Sequence, residues 1–391
     1  MTRMWKALML GLTLSAALIA CTSNDVHQLA KVVTAGDPSA AAESWAKDKA
    51  TEYAANPGKI ETDLKGIAEL LSKLRQAVDK TWEEDAKYPG TKVFVKYWDN
   101  YRSRAEINFE EGWVRVETLA GESEIAKLEE AIVTTLLTPD DPAKVDIFSD
   151  KPLGPSQGEP FLYQQVVDDQ GQPIRWEWRA KRYASYLSEH KLERKQVGKF
   201  PLLAVQFPLV SQHEQLREYR YQSLIEKYAK HYDVPESLIY AVMKTESSFN
   251  PYAVSHAGAF GLMQVVPSTA GRDVFDKVKG KPGQPTQQYL FVAENNIDVG
   301  TAYLHLLETR YLKAIDNPTS RHYSVISAYN GGAGNVFKTF HSNRDRAPEA
   351  INGMSPASVY QKLTTQHPAA ESRRYLQKVD LAEQAFRKGE G

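Results

Sequence analysis

The chain has a single cysteine in 391 residues. No intrachain disulfide and no zinc cage of cysteines is possible. An excess of one charge is also missing: 48 Lys and Arg stand against 49 Asp and Glu, a formal net charge of −1. A near-neutral chain carries no general electrostatic footprint for nucleic acid. Long apolar runs are scarce, and a mean hydropathy of −0.48 argues against a polytopic membrane protein. His305-x-x-Glu308 lacks the second histidine of a His-Glu-x-x-His zinc motif. Gly331-Gly332-Ala333-Gly334 lacks the Gly-Lys-Ser/Thr of a phosphate loop. No internal repeat is found, and neither a metal nor a cofactor is expected. The remainder is ordinary: 42% hydrophobic and 25% charged residues exclude collagen-like, low-complexity and wholly disordered classes. A chain of 391 residues is too long for one hydrophobic core, so two domains are expected.

The N-terminus reads as a targeting segment. Arg3 and Lys6 precede an apolar run of 14 residues, Ala7 to Ala20, which is short for a bilayer span and matches a signal peptide over 1–20. Leu18-Ile19-Ala20-Cys21 resembles the bacterial lipobox, in which the cysteine is lipidated and becomes the mature first residue. An ordinary cleaved signal peptide with a chance cysteine is the alternative. Acyl chains on Cys21 would anchor a soluble body to a lipid bilayer. By the same resemblance Thr22, rather than Asp, implies the outer membrane of a Gram-negative cell, facing the periplasm. Loss of residues 1–20 removes two positive charges and leaves the mature chain at −3 (46 − 49).

Residues 21–40 are small and polar and suit a tether. Residues 39–55 are Ala-rich and helical in character. A helix near Ile60–Val78 carries Ile60, Leu64, Ile67, Leu71, Leu74 and Val78 on one face. Alternation from Val93 to Trp98, a hairpin over Ala105–Leu119 around Glu110-Glu111-Gly112, and a helix near Ser123–Leu137 follow. Thr138–Pro160 reads as loop. Ile174–Arg179 and Phe200–Val210 read as strands, with Trp176 and Trp178 on one strand face as core packing or as a glycan platform. After about residue 211 helical periods dominate. The expected fold class is α+β: a mixed helix and antiparallel-strand domain of unknown role over 41–210, then an all-α domain over 211–391.

The informative stretch runs from Asp233 to Arg272. Asp233 and Glu236 resemble a capping pair around Pro235, and the helix they open runs to about Ser248, stopped by Asn250-Pro251. Its buried face should hold Leu238, Ile239, Val242 and Met243. Glu246 falls on that same face, in the last turn. Burial and the negative end of the helix dipole both favour the protonated acid there. Such a group can donate a proton to a leaving oxygen. A rim Glu bonded to a backbone amide or a cation is the other reading. No Asp or Glu occurs between Ser247 and Arg272. Gly258, Gly261 and Gln264 suit close approach of backbone and amide to a sugar, or simple turn geometry. Lys277, Lys279 and Lys281 read as a solvated loop that could also meet anionic polymer or lipid.

Four segments in order, Glu246-Ser247, Gly261-Leu262-Met263-Gln264, Ala328-Tyr329-Asn330 and Glu371-Ser372-Arg373-Arg374-Tyr375, resemble the motifs of the soluble-lytic-transglycosylase-like, lysozyme-related domain. Ser372 departs from the Thr of the usual pattern. The resemblance covers about 212 to 391 and implies a lysozyme-like fold cleaving the β-1,4 bond between N-acetylmuramic acid and N-acetylglucosamine in peptidoglycan glycan strands. Glu246 would protonate the glycosidic oxygen, then deprotonate the muramoyl C6 hydroxyl, leaving a 1,6-anhydro end without consuming water. The pattern implies that Ser247 orients Glu246 or substrate, that Met263 and Gln264 line the groove, that Tyr329 and Asn330 bind sugar, and that Tyr375 hydrogen-bonds near Glu246. Core packing for Met263, Tyr329 and Tyr375, and turn capping for Asn330, stay open. Two alternatives stand beside the lyase: a hydrolytic lysozyme of the same fold, which needs a second carboxylate near Glu246, and a catalytically inactive peptidoglycan-binding scaffold. Cell-wall synthesis or division proteins as partners are left unnamed by the sequence.

Overall fold

The structure, a computed structural model, describes residues 57–119, 124–151, 153, 158–255 and 257–388. The expected signal peptide, Cys21, the tether and the Ala-rich helix of 39–55 lie outside the described residues.

The first described helix, α1 (Pro57–Trp82), buries Leu74, Val78 and Trp82, the continuation of the expected apolar face. Five strands follow: β1 (Val93–Trp98), β2 (Ser103–Asn108), β3 (Trp113–Leu119), β4 (Glu193–Val197) and β5 (Phe200–Pro208). They form one antiparallel sheet in the order β1-β2-β3-β5-β4. Helix α2 (Glu124–Leu136) packs on β2, β3 and β5, and α3 (Glu177–His190) packs on α2. The hairpin and α2 stand where the residue periods place them.

One expectation fails here, and one strand was not expected. Ile174–Arg179 is not a strand: Trp176 immediately precedes α3 and Trp178 lies in its first turn. Ala180, Tyr183, Ala184 and Leu187 recur at helical spacing and bury the α3 face, while Arg179 and Arg182 grip the buried carboxylate of Asp168 at 2.6 Å. Both Trp176 and Trp178 are 59% exposed, so neither is a core residue. The other miss is β4, whose Glu-Arg-Lys-Gln-Val sequence is mostly exposed and offers no apolar alternation.

From His213 on, the described residues form helices and loops, with only isolated bridges at Val254–Phe260 and Phe260–Val265. In order they are α4 (His213–Tyr232), α5 (Glu236–Ser247), α6 (Arg272–Lys277), α7 (Gln287–Phe291), α8 (Ala293–Leu306), α9 (Pro318–Gly331), α10 (Ala333–Phe340), α11 (Ala347–Asn352), α12 (Pro356–Gln366) and α13 (Ala370–Arg387). Helix α5 is packed against α4 and α13. Leu238, Ile239, Val242 and Met243 are all buried on it, as their spacing requires.

The expected pair of separate cores is not observed. Buried side chains of both halves belong to one contiguous cluster. Tyr252 stacks edge-on against Phe94 at 4.9 Å and Phe161 at 5.3 Å. Arg217, fully buried on α4, donates to the carbonyl of Phe109 (3.0 Å), to Gln165 Oε1 (2.9 Å) and to the carbonyl of Ser248 (3.1 Å).

Candidate active site

Glu246 stands where α5 ends. The helix stops because Ser248 (φ 50°) and Phe249 (φ 58°) both take the left-handed conformation, which costs a non-glycine residue about 1–2 kcal/mol. The Arg217 bond to the Ser248 carbonyl helps hold that turn. The expected capping pair does not form. Asp233 is the left-handed cap at the end of α4, and Pro235 precedes α5 with no side-chain cap. The proline ring supplies the φ that starts the helix, which leaves the side-chain cap dispensable.

The Glu246 carboxyl lines a cleft of 370 Å³. Burial pushes its pKa up to about 8, and the Glu371 carboxylate adds to the rise. Tyr375 and Lys92 oppose it without cancelling it. The Glu246 side chain is half-buried in the cleft wall, and burial is the largest cause of the rise. The buried Tyr375 hydroxyl faces the carboxyl and interacts with it, though not in full hydrogen-bond geometry. Contacts of this kind tighten when substrate arrives.

Of the residues named from sequence, Glu246, Gln264, Tyr329, Asn330 and Tyr375 meet in the cleft. Ser247 and Met263 do not. The Ser247 hydroxyl is fully buried and faces the carbonyls of Met243 (3.0 Å) and Leu262 (2.7 Å), tying α5 to the 261–264 loop. Met263 is core filling, as its alternative reading allowed. Its side chain packs on Gly300 of α8, where a Cβ would stand 2.5 Å from the Met263 sulfur. Only its backbone serves the site: Tyr329 donates its hydroxyl to the Met263 carbonyl at 2.8 Å.

The loop before Gln264 is built to present that one side chain. Gly261 sits at φ 72°, and a Cβ there would strike Asn296 and the Leu290 carbonyl. Asn296, fully buried on α8, accepts from the Met263 amide (2.8 Å) and donates to the carbonyls of Phe260 (2.7 Å) and Leu290 (2.9 Å). Gln264 is left-handed at φ 47°. Its Nε2 is spent on the carbonyls of Ala253 (3.1 Å) and Gly261 (2.9 Å), while the buried Oε1 has no partner. Gln264 therefore offers an acceptor alone, where the sequence allowed donor and acceptor. Asn330 Oδ1 accepts from Ser372 at 2.6 Å, which joins α9 to α13.

Several lining residues were given no site role from sequence: Thr91, Lys92, Thr245, Ser255 and Lys378, and, within a quoted motif, Glu371 and Arg374. On α13 a signal existed, because 371, 374, 375 and 378 are spaced to share one helical face. For Thr91 and Lys92 there was none, since they come from the loop before β1. Glu371 supplies a second carboxylate, at the exposed rim. Lys277 and Lys279 are not free for anionic polymer: Lys277 is paired with Asp273, and Lys279 with Asp298 at 2.6 Å.

Comparison with known proteins adds the following. Residues 60–220 match the family model of the membrane-bound lytic murein transglycosylase C N-terminal domain, and residues 223–352 match the transglycosylase SLT domain. Two curated relatives are membrane-bound lytic murein transglycosylase C of Sodalis glossinidius (strain morsitans) and of Yersinia pestis (strain Pestoides F). Each is 49% identical over 327 residues, covering 83% of this chain and 91% of the relative. The crystal structure of the 70 kDa soluble lytic transglycosylase of Escherichia coli is 27% identical, with a TM-score of 0.35 over 44% of this chain and 24% of that one.

Proposed function

The chain belongs to the membrane-bound lytic murein transglycosylase C family, and we propose that Glu246 is first the acid and then the base of its reaction. The chain is a lytic transglycosylase acting on peptidoglycan. The observation that carries the assignment is a carboxyl in the cleft whose pKa is pushed up to about 8, so that it holds a proton at neutral pH. That proton goes to the glycosidic oxygen as the bond from C1 of N-acetylmuramic acid breaks. The N-acetylglucosamine 4-hydroxyl leaves. Glu246, now anionic, takes the proton of the muramoyl C6 hydroxyl as its oxygen bonds to C1. The 1,6-anhydro ring closes and the acid is restored. Intramolecular attack gains its rate from positioning. The Gln264 Oε1, which has no partner among the described residues, suits that task as an acceptor for a sugar hydroxyl, and Tyr375 faces the Glu246 carboxyl.

The test is mass spectrometry of muropeptides released from purified peptidoglycan by the full chain. The expected products are one water lighter than reducing-end products. Glu246→Gln should lower their rate by roughly 10²–10⁴. Reducing ends would overturn the reading in favour of hydrolysis with Glu371 as the second carboxylate. Binding without cleavage would favour a scaffold.

The chain is membrane-associated, as the family's name describes. We infer that acylated Cys21 is the anchor and the periplasmic face of the outer membrane its location. Residues 211–391 then carry the chemistry, and residues 41–210 buttress it.

A further inference from the structure

The first half of the chain carries a pair of rings that its core does not use. Trp176 and Trp178 are each 59% exposed, whereas Trp82 and Trp98 are buried. Neither exposed ring lines the cleft. Both are nevertheless braced. The guanidinium of Arg179 lies 4.5 Å from the centre of the Trp178 ring and is tied to the buried carboxylate of Asp168 at 2.6 Å. The guanidinium of Arg175 lies 5.1 Å from the centre of the Trp176 ring and 5.6 Å from that of Tyr163, and it pairs with Glu159 at 3.2 Å. A cation over an aromatic face is attracted by the ring quadrupole. Each indole is therefore covered on one face by an anchored arginine and is largely open to solvent elsewhere. Rings fixed in this way have little freedom left to lose on binding.

The charge around the rings selects the ligand. Lys181 pairs with Glu177 at 2.6 Å, and Arg182 with Asp169 at 2.8 Å. Each cation from Arg175 to Arg182 thus has a carboxylate partner. An anionic lipid surface attracts basic clusters with charge to spare, and these cations are neutralised. A neutral ligand with an apolar face and hydroxyls fits better. The indoles stack on the apolar face. Glu177, between the two tryptophans in sequence, accepts from hydroxyls, and Lys181 donates to them. A strand of β-linked N-acetylhexosamines has this chemistry. We propose that Trp176 and Trp178 hold the glycan strand at a second site, outside the cleft, by stacking on its sugar rings. The choice of polymer rests on the peptidoglycan reading of the cleft. Two linked attachments hold a strand more tightly than one, so this site raises the occupancy of the cleft and takes no part in bond breaking.

The first measurement uses the full chain with Glu246→Gln, so that binding is read without turnover. Co-sedimentation with purified insoluble peptidoglycan gives the half-saturation point. Adding Trp176→Ala and Trp178→Ala should raise it about tenfold. Trp176→Phe with Trp178→Phe should recover part of the loss, because a smaller ring still stacks. In the active chain the alanine pair should slow the cleavage of dilute peptidoglycan by a similar factor and leave the maximal rate at saturation unchanged. An unchanged half-saturation point overturns the proposal, as does failure of the Glu246→Gln chain to bind peptidoglycan at all. An equal fall in the maximal rate overturns it too, since the rings would then be supporting the cleft. The same variants are floated with vesicles of phosphatidylethanolamine and phosphatidylglycerol. Loss of vesicle binding with peptidoglycan binding intact would make the surface a membrane contact instead. A tenfold binding loss alongside reducing-end products would leave the strand site standing and sink the lyase reading.

Discussion

At the residue scale the site is governed by one carboxyl and the charges that reach it. Glu246 is protonated below a pKa of about 8 because burial penalises its anion. With Glu246 as the proposed acid, the acid step should decline as pH rises through that value, and Glu246 should set the alkaline limb of kcat/KM. Lys92 and Tyr375 hold the pKa down, while Glu371 holds it up. Replacing Lys92 with Gln removes a stabiliser of the anion and frees the Glu110 carboxylate from its partner. Both changes act in one direction. The alkaline limb should move to higher pH in a kcat/KM profile measured from pH 5 to pH 10. A limb that stays in place, or moves down, would show that another group sets it. From sequence the location of Glu246 on a buried face was legible, because the 3.6-residue period is local. The size of the effect was not, because Tyr375, Glu371 and Lys92 reach it through space.

At the scale of elements, the catalytic loop is held by a residue that periodicity hides. Asn296 looks like a solvent-facing position in an amphipathic helix, yet it is wholly buried and makes three bonds to the 260–263 backbone and Leu290. No polarity pattern reveals a buried amide whose partners are main-chain atoms of another loop. Asn296→Ala would strand the Met263 amide and remove the side-chain donor to the Leu290 carbonyl, at roughly 2–4 kcal/mol, while the Phe260 carbonyl keeps the Val265 amide. A lower Tm in thermal unfolding is the expected outcome. A fall in kcat should accompany it, because the Met263 carbonyl that carries Tyr329 would lose its fixed position. An unchanged kcat in the folded variant would mean that the loop is held by Ser247 alone. The same contrast separates the elements that were legible from those that were not. Helix α5 and the β2–β3 hairpin announce themselves by strong apolar periods. Helix α3 hides behind alanines and a misleading Trp-x-Trp alternation, and β4 carries charge on an edge.

At the scale of the whole molecule, the boundary in composition near residue 211 is real, but it does not separate two cores. The segment that leaves Glu246 runs straight onto the first half. Arg217 holds Ser248 to Phe109 and Gln165. Asn250 Nδ2 donates to the Thr91 carbonyl at 3.1 Å, Tyr252 donates its hydroxyl to the Pro139 carbonyl, and the Val254 amide donates to the Gly90 carbonyl at 3.3 Å. Phe94 and Phe161 pack on Tyr252. Asn250, Tyr252 and Val254 are thus fastened directly, and Ser248 through Arg217, to residues that sequence composition assigned to a different domain. Composition reports what each half is made of, whereas most of these bonds end on backbone carbonyls, whose identity any residue would share. The consequence is testable with residues 211–391 expressed alone. That half would expose Tyr252 and leave the buried guanidinium of Arg217 without two of its acceptors, each loss costing about 1–3 kcal/mol. It should show a lower Tm, a flexible 248–255 segment in hydrogen exchange, and a depressed kcat on peptidoglycan. Adding residues 57–210 in trans should recover part of each. Full activity and full exchange protection in the isolated half would mean that the first half contributes Lys92 to the cleft and nothing to its rigidity.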